Sequence, residues 1–302
     1  MLSFFANIFG YVLKFLYMVV GNYGWAIILF SVLVKLIMIP ISIKQQKSMK
    51  KNQKIQDELK QIQFKYKNDP EMQNQEVMAL YKREGMSPFS GCLSSIIQIV
   101  LLFAVFLLVR QPLTYMVKMD TDVINKMENV VAEQEGISNN AYAEISVIQY
   151  VKNLENKVSV SKDGEFDMKE YAEQANLNMD IFGIDLSKIP TKNWTDLKVL
   201  IIPVLYVISS FISIRLSNNM TNQNNKNKLI TDGENKEEEP YNPVPDASKT
   251  MMWMMPIMSI SIAAIAPLGL ALYWLMNNIL MIIERLVFNK ISKKEEEAEV
   301  DA

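Results

Sequence analysis

The sequence predicts an all-α integral membrane protein: five transmembrane helices, a helical hairpin on the cytoplasmic side and an N-terminal helix in the membrane interface. Three observations predict it. Half of the 302 residues are apolar, and they gather into blocks instead of spreading as a soluble core requires. The blocks, at about 23–43, 93–109, 197–214, 251–266 and 268–288, each approach the length of a spanning helix. The polar stretches between them differ in charge. Residues 44–84 hold ten Lys or Arg against six Asp or Glu, whereas 113–196 hold eight Lys against fifteen acids.

Each element follows in order. Residues 1–20 are apolar, but no basic stretch precedes them, Lys14 interrupts them and no small-residue cleavage site follows. They predict an interfacial amphipathic helix with Lys14 and Tyr17 near headgroups and not a signal peptide, with an uncleaved extra span, which would spoil the charge pattern, as the alternative. Residues 21–43 form the first transmembrane helix and 44–86 the hairpin. The second transmembrane helix occupies 87–112, followed by an acidic, helical extracellular insertion over 113–196. The third helix occupies 197–216. The run SNNMTNQNNKNK and the Glu/Pro-rich stretch after it predict a flexible cytoplasmic loop over 217–250. Residues 251–289 hold the fourth and fifth helices, joined by a tight turn at Pro267-Leu268-Gly269, and 290–302 form a charged cytoplasmic tail. Lys and Arg near the span ends place the N-terminus outside and the C-terminus in the cytoplasm.

Within the hairpin, Ile55, Leu59, Ile62 and Tyr66 recur at spacings of 4, 3 and 4, one apolar stripe on a basic helix. Asp69 is placed to cap a second helix and Pro70 suits its first position. That helix carries Met72, Val77, Leu80 and Tyr81 toward one side, and Gly85 ends it. The basic face either satisfies the positive-inside rule alone or docks anionic membrane lipid or the ribosome.

Lys35 lies inside the first span, where a cation costs about 2.5–3.5 kcal/mol on insertion scales. Eight residues separate it from Ile43, roughly 12 Å at 1.5 Å per residue, about twice the reach of a lysine stem. The acid closest to the spans, Glu284, lies near the cytoplasmic end of the fifth. Lys35 is therefore expected to face a wet cavity among the helices. Ser31 stands one turn earlier on the same face. Gln98, Ser209, Ser210, Ser259, Ser261, Asn277 and Asn278 are further candidates to line it, each with ordinary interhelical hydrogen bonding as the alternative. Pro40 forfeits a backbone bond to Leu36 nearby. The sixteen-residue fourth span covers only about 24 Å, so the bilayer thins there or neighbours bury the helix. Met255 is one of seven methionines crowding the last two spans, either adaptable contacts for varied apolar partners or plain membrane packing.

Composition excludes several classes. With no His and one Cys, the chain has no histidine base, no intramolecular disulfide and no multi-Cys zinc site. No Walker-type or dinucleotide-binding glycine motif is present, so no cofactor is expected and the chain does not read as an enzyme. The residues alone leave three classes open: a protein that moves polypeptide into lipid, an ion-coupled transporter with Lys35 in its substrate site, and a receptor sensing through 113–196.

Three runs carry a resemblance: GNYGWAIILFSVLVKLIMIPISIKQQKSMKK, YKREGMSPFSGCLSSIIQIVLLFAVFLLVRQPLTY and MMWMMPIMSISIAAIAPLGLALYWLMNN. Together they resemble the YidC family of membrane protein insertases in its Gram-positive bacterial form. The resemblance implies a five-helix core around a hydrophilic groove, open to the cytoplasm and lipid and closed outside, in the bacterial cell membrane. It implies insertion of nascent small membrane proteins, alone or beside the Sec translocon. The family's groove cation falls on Lys35, where many relatives carry Arg, and its groove aromatic falls on Trp274. The lipobox cysteine of many Gram-positive relatives is absent, and 113–196 carries no family motif.

Overall fold

The computed structural model describes residues 2–85, 90–136, 141–162, 164–229 and 261–300. Over these residues the chain is an all-α membrane protein with one minimal sheet. In chain order the helices are α1 (Leu2–Val20), α2 (Tyr23–Lys54), α3 (Gln56–Lys65), α4 (Pro70–Arg83), α5 (Ser90–Arg110), α6 (Thr121–Glu135), α7 (Ala143–Val151), α8 (Lys169–Ala175), α9 (Leu197–Leu229) and α10 (Leu268–Val300). Strands β1 (Asp180–Ile181) and β2 (Ile184–Asp185) lie between α8 and α9. Leu2–Val20, Tyr23–Ser48, Leu197–Leu216 and Leu268–Ile291 are long and apolar enough to cross a membrane, and Ile97–Arg110 is a shorter apolar stretch. The chain divides into two units, Met1–Leu33 with Ala104–Ala302, and Val34–Phe103.

In the first unit, α1 buries Ala6, Gly10 and Leu13, spaced by 4 and 3 residues, and exposes Phe4, Ile8, Tyr11, Phe15 and Met18. Its buried stripe lies against a π-helical turn, Leu113–Val117. Gly10 is the point of closest approach: a Cβ there would stand 1.8 Å from the carbonyl oxygen of Tyr115. Lys14 Nζ donates to the Val117 carbonyl at 3.0 Å, Lys118 Nζ donates to Asn7, and the Asn178 amide donates to the Tyr17 hydroxyl at 3.0 Å.

Segment 113–196 has its own core, because α6 and α7 each carry a helical apolar stripe. Ile124, Met127, Val130 and Val131 from α6 are buried, as are Ile145, Val147, Ile148 and Val151 from α7. Helices are accompanied here by an element that the sequence reading did not anticipate. β1 and β2 pair antiparallel, with Asp180 opposite Asp185 and Ile181 opposite Ile184. Two residues per strand are too few for a period-2 pattern to register. Around this hairpin three long helices are tied at their N-terminal ends. The Tyr23 amide donates to the Asn178 carbonyl at 2.8 Å. The Leu268 and Gly269 amides donate to the carbonyls of Lys188 and Leu186, each at 2.9 Å. Just ahead of α9, Asp196 accepts from Lys188 Nζ at 2.8 Å.

In the second unit, α3 and α4 close an apolar cluster of Ile55, Leu59 and Leu80, flanked by Ile62, Val77 and Tyr81. The Asp69 carboxylate accepts from the Met72 amide at 3.0 Å and Pro70 opens α4. Gly85, with φ +62°, follows the helix. Met72 is exposed, so the stripe on α4 begins at Val77. Asp69→Ala should destabilise the hairpin by about 1 kcal/mol, the usual worth of an N-cap. Amide hydrogen exchange in the first turn of α4 should quicken, whereas exchange in α6 should not change.

Three helices outrun their expected ends. α2 continues through Pro40 to Lys54, because the Lys, Gln and Met residues beyond the proline favour helix. α9 continues to Leu229, which corrects the flexible loop expected from 217. Neither Pro nor Gly occurs between Pro203 and Gly233 to stop it. The expected tail after 290 is likewise helical in α10, to Val300. Residues 261–265 are helical and turn at Ala266-Pro267 into α10. The rest of the expected fourth span, with Met255 and Ser259, lies outside the described residues, as does most of the loop expected over 217–250.

Candidate functional site

Lys35 is carried by α2 about 18 Å along the axis from Tyr23, at the depth of mid-bilayer for a helix that starts at the membrane edge. Its neighbours Leu33, Leu36 and Ile37 are exposed apolar side chains, and Lys35 itself is half-buried. Lys35 and Gln98 belong to the second unit. There the exposed Gln98 donates from Nε2 to Oε1 of Gln45 at 3.2 Å, a side-chain bond between α5 and α2. Gln98 is thereby aligned with the polar end of α2, two turns and more beyond Lys35.

Ser31, Trp274 and Asn277 belong to the first unit. Ser31 is buried and donates back to the Ile27 carbonyl at 2.8 Å, which satisfies its hydroxyl within its own helix. Trp274 is buried against Tyr206, with ring centroids 5.8 Å apart. Its indole Nε1 is buried and has no hydrogen-bond partner among the described residues. Asn277 is exposed; its neighbour Asn278 faces α9. Asn278 Nδ2 donates to Ser210 Oγ at 2.8 Å and lies 3.3 Å from Ser209 Oγ. Both serines donate in turn to the Tyr206 carbonyl at 2.8 Å. Of the polar residues nominated from sequence, Ser209, Ser210 and Asn278 thus form an interhelical hydrogen-bonded seam, the alternative weighed for each of them.

The same seam holds a cation that sequence reasoning passed over. Arg285 Nη1 donates to the carbonyl of Ser213 at 2.8 Å and lies 3.2 Å from its Oγ. In the sequence Arg285 counts only toward membrane orientation. The signal for a second role was its spacing, seven residues after Asn278 and eleven after Trp274, which puts all three on one helical face. α10 therefore presents an aromatic, an amide and a guanidinium in succession along the side that packs on α9.

These groups are mostly hydrogen-bond donors. In the first unit the Trp274 indole and the Arg285 guanidinium are donors, and in the second unit the Lys35 ammonium is a donor while the Gln98 amide both donates and accepts. No group of three His, Cys, Asp or Glu among the described residues is arranged to hold a metal ion.

Comparison with known proteins bears on this arrangement. Residues 15–296 match the family model described as the 60Kd inner membrane protein. A Treponema denticola protein named membrane protein insertase YidC is 28% identical over 284 residues, covering 94% of this chain and 37% of that protein. A protein of the same name from Chlorobaculum parvum is 28% identical over 279 residues, 92% of this chain and 35% of its own. One from Fusobacterium nucleatum is 44% identical over 91 residues, 30% of this chain and 44% of its own. The chain thus spans under half the length of these relatives.

Proposed function

The chain belongs to the 60Kd inner membrane protein family, and from that premise we propose that it is a membrane protein insertase of the bacterial cell membrane. It acts on nascent membrane proteins, works without a nucleotide or other cofactor and is not an enzyme. The observation that carries the reading is a cation, Lys35, within the crossing stretch Tyr23–Ser48 and separated by eight residues from Lys44, where its polar end begins, in a chain matched to this family over nearly its whole length. The similar proteins are named as insertases, which leaves the ion-coupled transporter reading behind.

In the mechanism, five spans surround a hydrophilic groove open to the cytoplasm and the lipid. The N-terminus and segment 113–196 lie outside, and the α3–α4 hairpin and the C-terminus lie in the cytoplasm. The hairpin receives the nascent chain, from the ribosome or beside the Sec translocon. A short polar tail enters the groove and meets Lys35, with Ser31, Gln98, Asn277, Trp274 and Met255 as the other groove residues. The apolar segment leaves sideways, driven by burial in lipid at about 25 cal/mol per Å² of apolar surface. The membrane potential adds or subtracts about 2.3 kcal/mol per charge per 100 mV, according to the sign of the tail.

α1 lies in the outer interface in this scheme. Asn7, Lys14 and Tyr17 span about 15 Å of helix and all bond to segment 113–196. A helix crossing the bilayer would carry some of those groups to hydrocarbon depth, away from that segment.

The test is Lys35→Ala in vesicles, with small membrane proteins supplied by in vitro translation. Insertion of clients with acidic outer tails should fall several-fold, Lys35→Arg should restore it, and clients with uncharged tails should be little affected. Unchanged insertion of every client would remove Lys35 from the mechanism.

A further inference from the structure

We infer that the hairpin Asp180–Asp185 is a lipid anchor, with Phe182 inserted among phospholipid headgroups and upper acyl chains at the face where α2 and α9 begin. The depth of the tip is fixed by what it is docked on. Beyond the Tyr23–Asn178 bond, Asn22 Nδ2 donates to the Asp180 carbonyl at 2.6 Å and Asn178 Nδ2 to the Gly21 carbonyl at 3.3 Å. Gly24 admits the hairpin to the α2 backbone: a Cβ there would stand 2.8 Å from Cδ1 of Ile181 and 2.9 Å from Cδ1 of Leu186. The first turn of α2 and the hairpin therefore move as one body. Trp25 is the third residue of α2, about 3 Å inside the start of the crossing stretch, and the Phe182 ring meets it edge-on with centroids 5.7 Å apart. Whatever medium surrounds Trp25 surrounds Phe182.

Nothing in the described protein covers these rings. Phe182 is 81% exposed and Trp25 45%. At the start of α9, Trp194 and Leu197 are 71% and 78% exposed. Large apolar side chains this bare, next to the ends of two crossing helices, match the aromatic zone of a membrane interface. Lys198 Nζ lies 3.7 Å from where a Cβ on Gly183 would be, so an ammonium is available at the tip for a lipid phosphate.

Local chemistry argues against a purely structural turn. Phe182 and Gly183 both have positive φ, +51° and +73°. Two-residue turns of this hand favour Asn-Gly or Asp-Gly, and a bulky L-residue is disfavoured at the first position. A phenylalanine held there against that preference, and left uncovered, finds its compensation in lipid.

This inference rests on α2 crossing the bilayer and not on insertase activity, and its test reads neither insertion nor clients. The full chain with Cys92→Ser and Phe182→Cys is labelled with a bimane fluorophore and reconstituted in phosphatidylethanolamine/phosphatidylglycerol vesicles. Lipids spin-labelled near the headgroup should quench the fluorophore several-fold more strongly than aqueous iodide. Iodide quenching equal to that of the free bimane–cysteine adduct overturns the proposal. A second variant, Phe182→Asn, keeps a favoured turn. An anchor predicts faster amide exchange over residues 178–188 in vesicles than in the natural chain. A merely structural turn predicts equal or slower exchange, and that result also overturns it.

Discussion

Glu144→Ala should lower the stability of segment 113–196 by several kcal/mol, and Glu144→Gln should abolish a pH dependence that the natural chain carries. Glu144 is 2% exposed, on α7. Its carboxylate accepts from the Leu113 amide at 2.7 Å, the Thr114 amide at 3.1 Å and the Thr114 hydroxyl at 2.6 Å. It thus caps, from thirty residues away, the first amides of the π-helical turn that follows Pro112. The alanine variant strands the buried Leu113 amide and the two part-buried donors of Thr114, a buried one being worth about 1–3 kcal/mol. Burial pushes the Glu144 carboxyl up from 4.5 to about 7, against the opposing hydrogen bonds from Thr114 and Leu113 and with a small push from Glu128. Because the folded value is above the unfolded one, the folded state binds the proton more tightly between pH 4.5 and 7. Stability should be greatest below that window, fall by about 3 kcal/mol as pH rises through it, and level off above 7. Unfolding midpoints measured in detergent across pH 4–8 check the slope. A natural chain and a Gln variant with the same slope would remove Glu144 as its source.

Gly10→Ala should separate α1 from the turn beneath it. The added methyl meets Tyr115 O at 1.8 Å and Tyr115 C at 2.6 Å, both backbone atoms that no rotamer change can move. Relief requires α1 to shift as a whole, which strains the Lys14–Val117 and Tyr17–Asn178 bonds farther along the helix. A loss of about 3 kcal/mol, the upper end for overpacking, is expected. Protease cleavage near Gly21, which joins α1 to α2 with φ +65°, should quicken in the variant. Ala6→Gly on the same stripe lacks this clash and should not expose that site to the same extent.

Much of the architecture was legible because membrane helices announce themselves by uninterrupted apolarity, and local chemistry marks their corners. Asp69-Pro70, Gly85 and Pro267 could each be assigned a backbone role from type and position alone. The continuation of α9 to Leu229 was not legible from composition: Asn-rich sequence resembles a loop, yet nothing in it breaks a helix already under way. The site divided along the same line. Lys35 stands out because its charge is improbable where it sits. Asn277 and Asn278 are indistinguishable by type, and only helical phase against α9 shows that Asn278 makes the seam while Asn277 points outward. Glu144 gave no signal among fifteen acids in its segment, since its partners are backbone amides brought together by tertiary folding.

The backbone bonds that fasten α2 and α10 to residues 178–188, with the Lys188–Asp196 pair beside the first turn of α9, set how these rods can part. Ends pinned to one plate do not slide apart. Any parting of α9 from α10 has to grow toward their opposite tips, as the arms of tongs spread from their joint. The greatest travel then falls where α9 and α10 run on, well past the length a bilayer needs, to Leu229 and Val300.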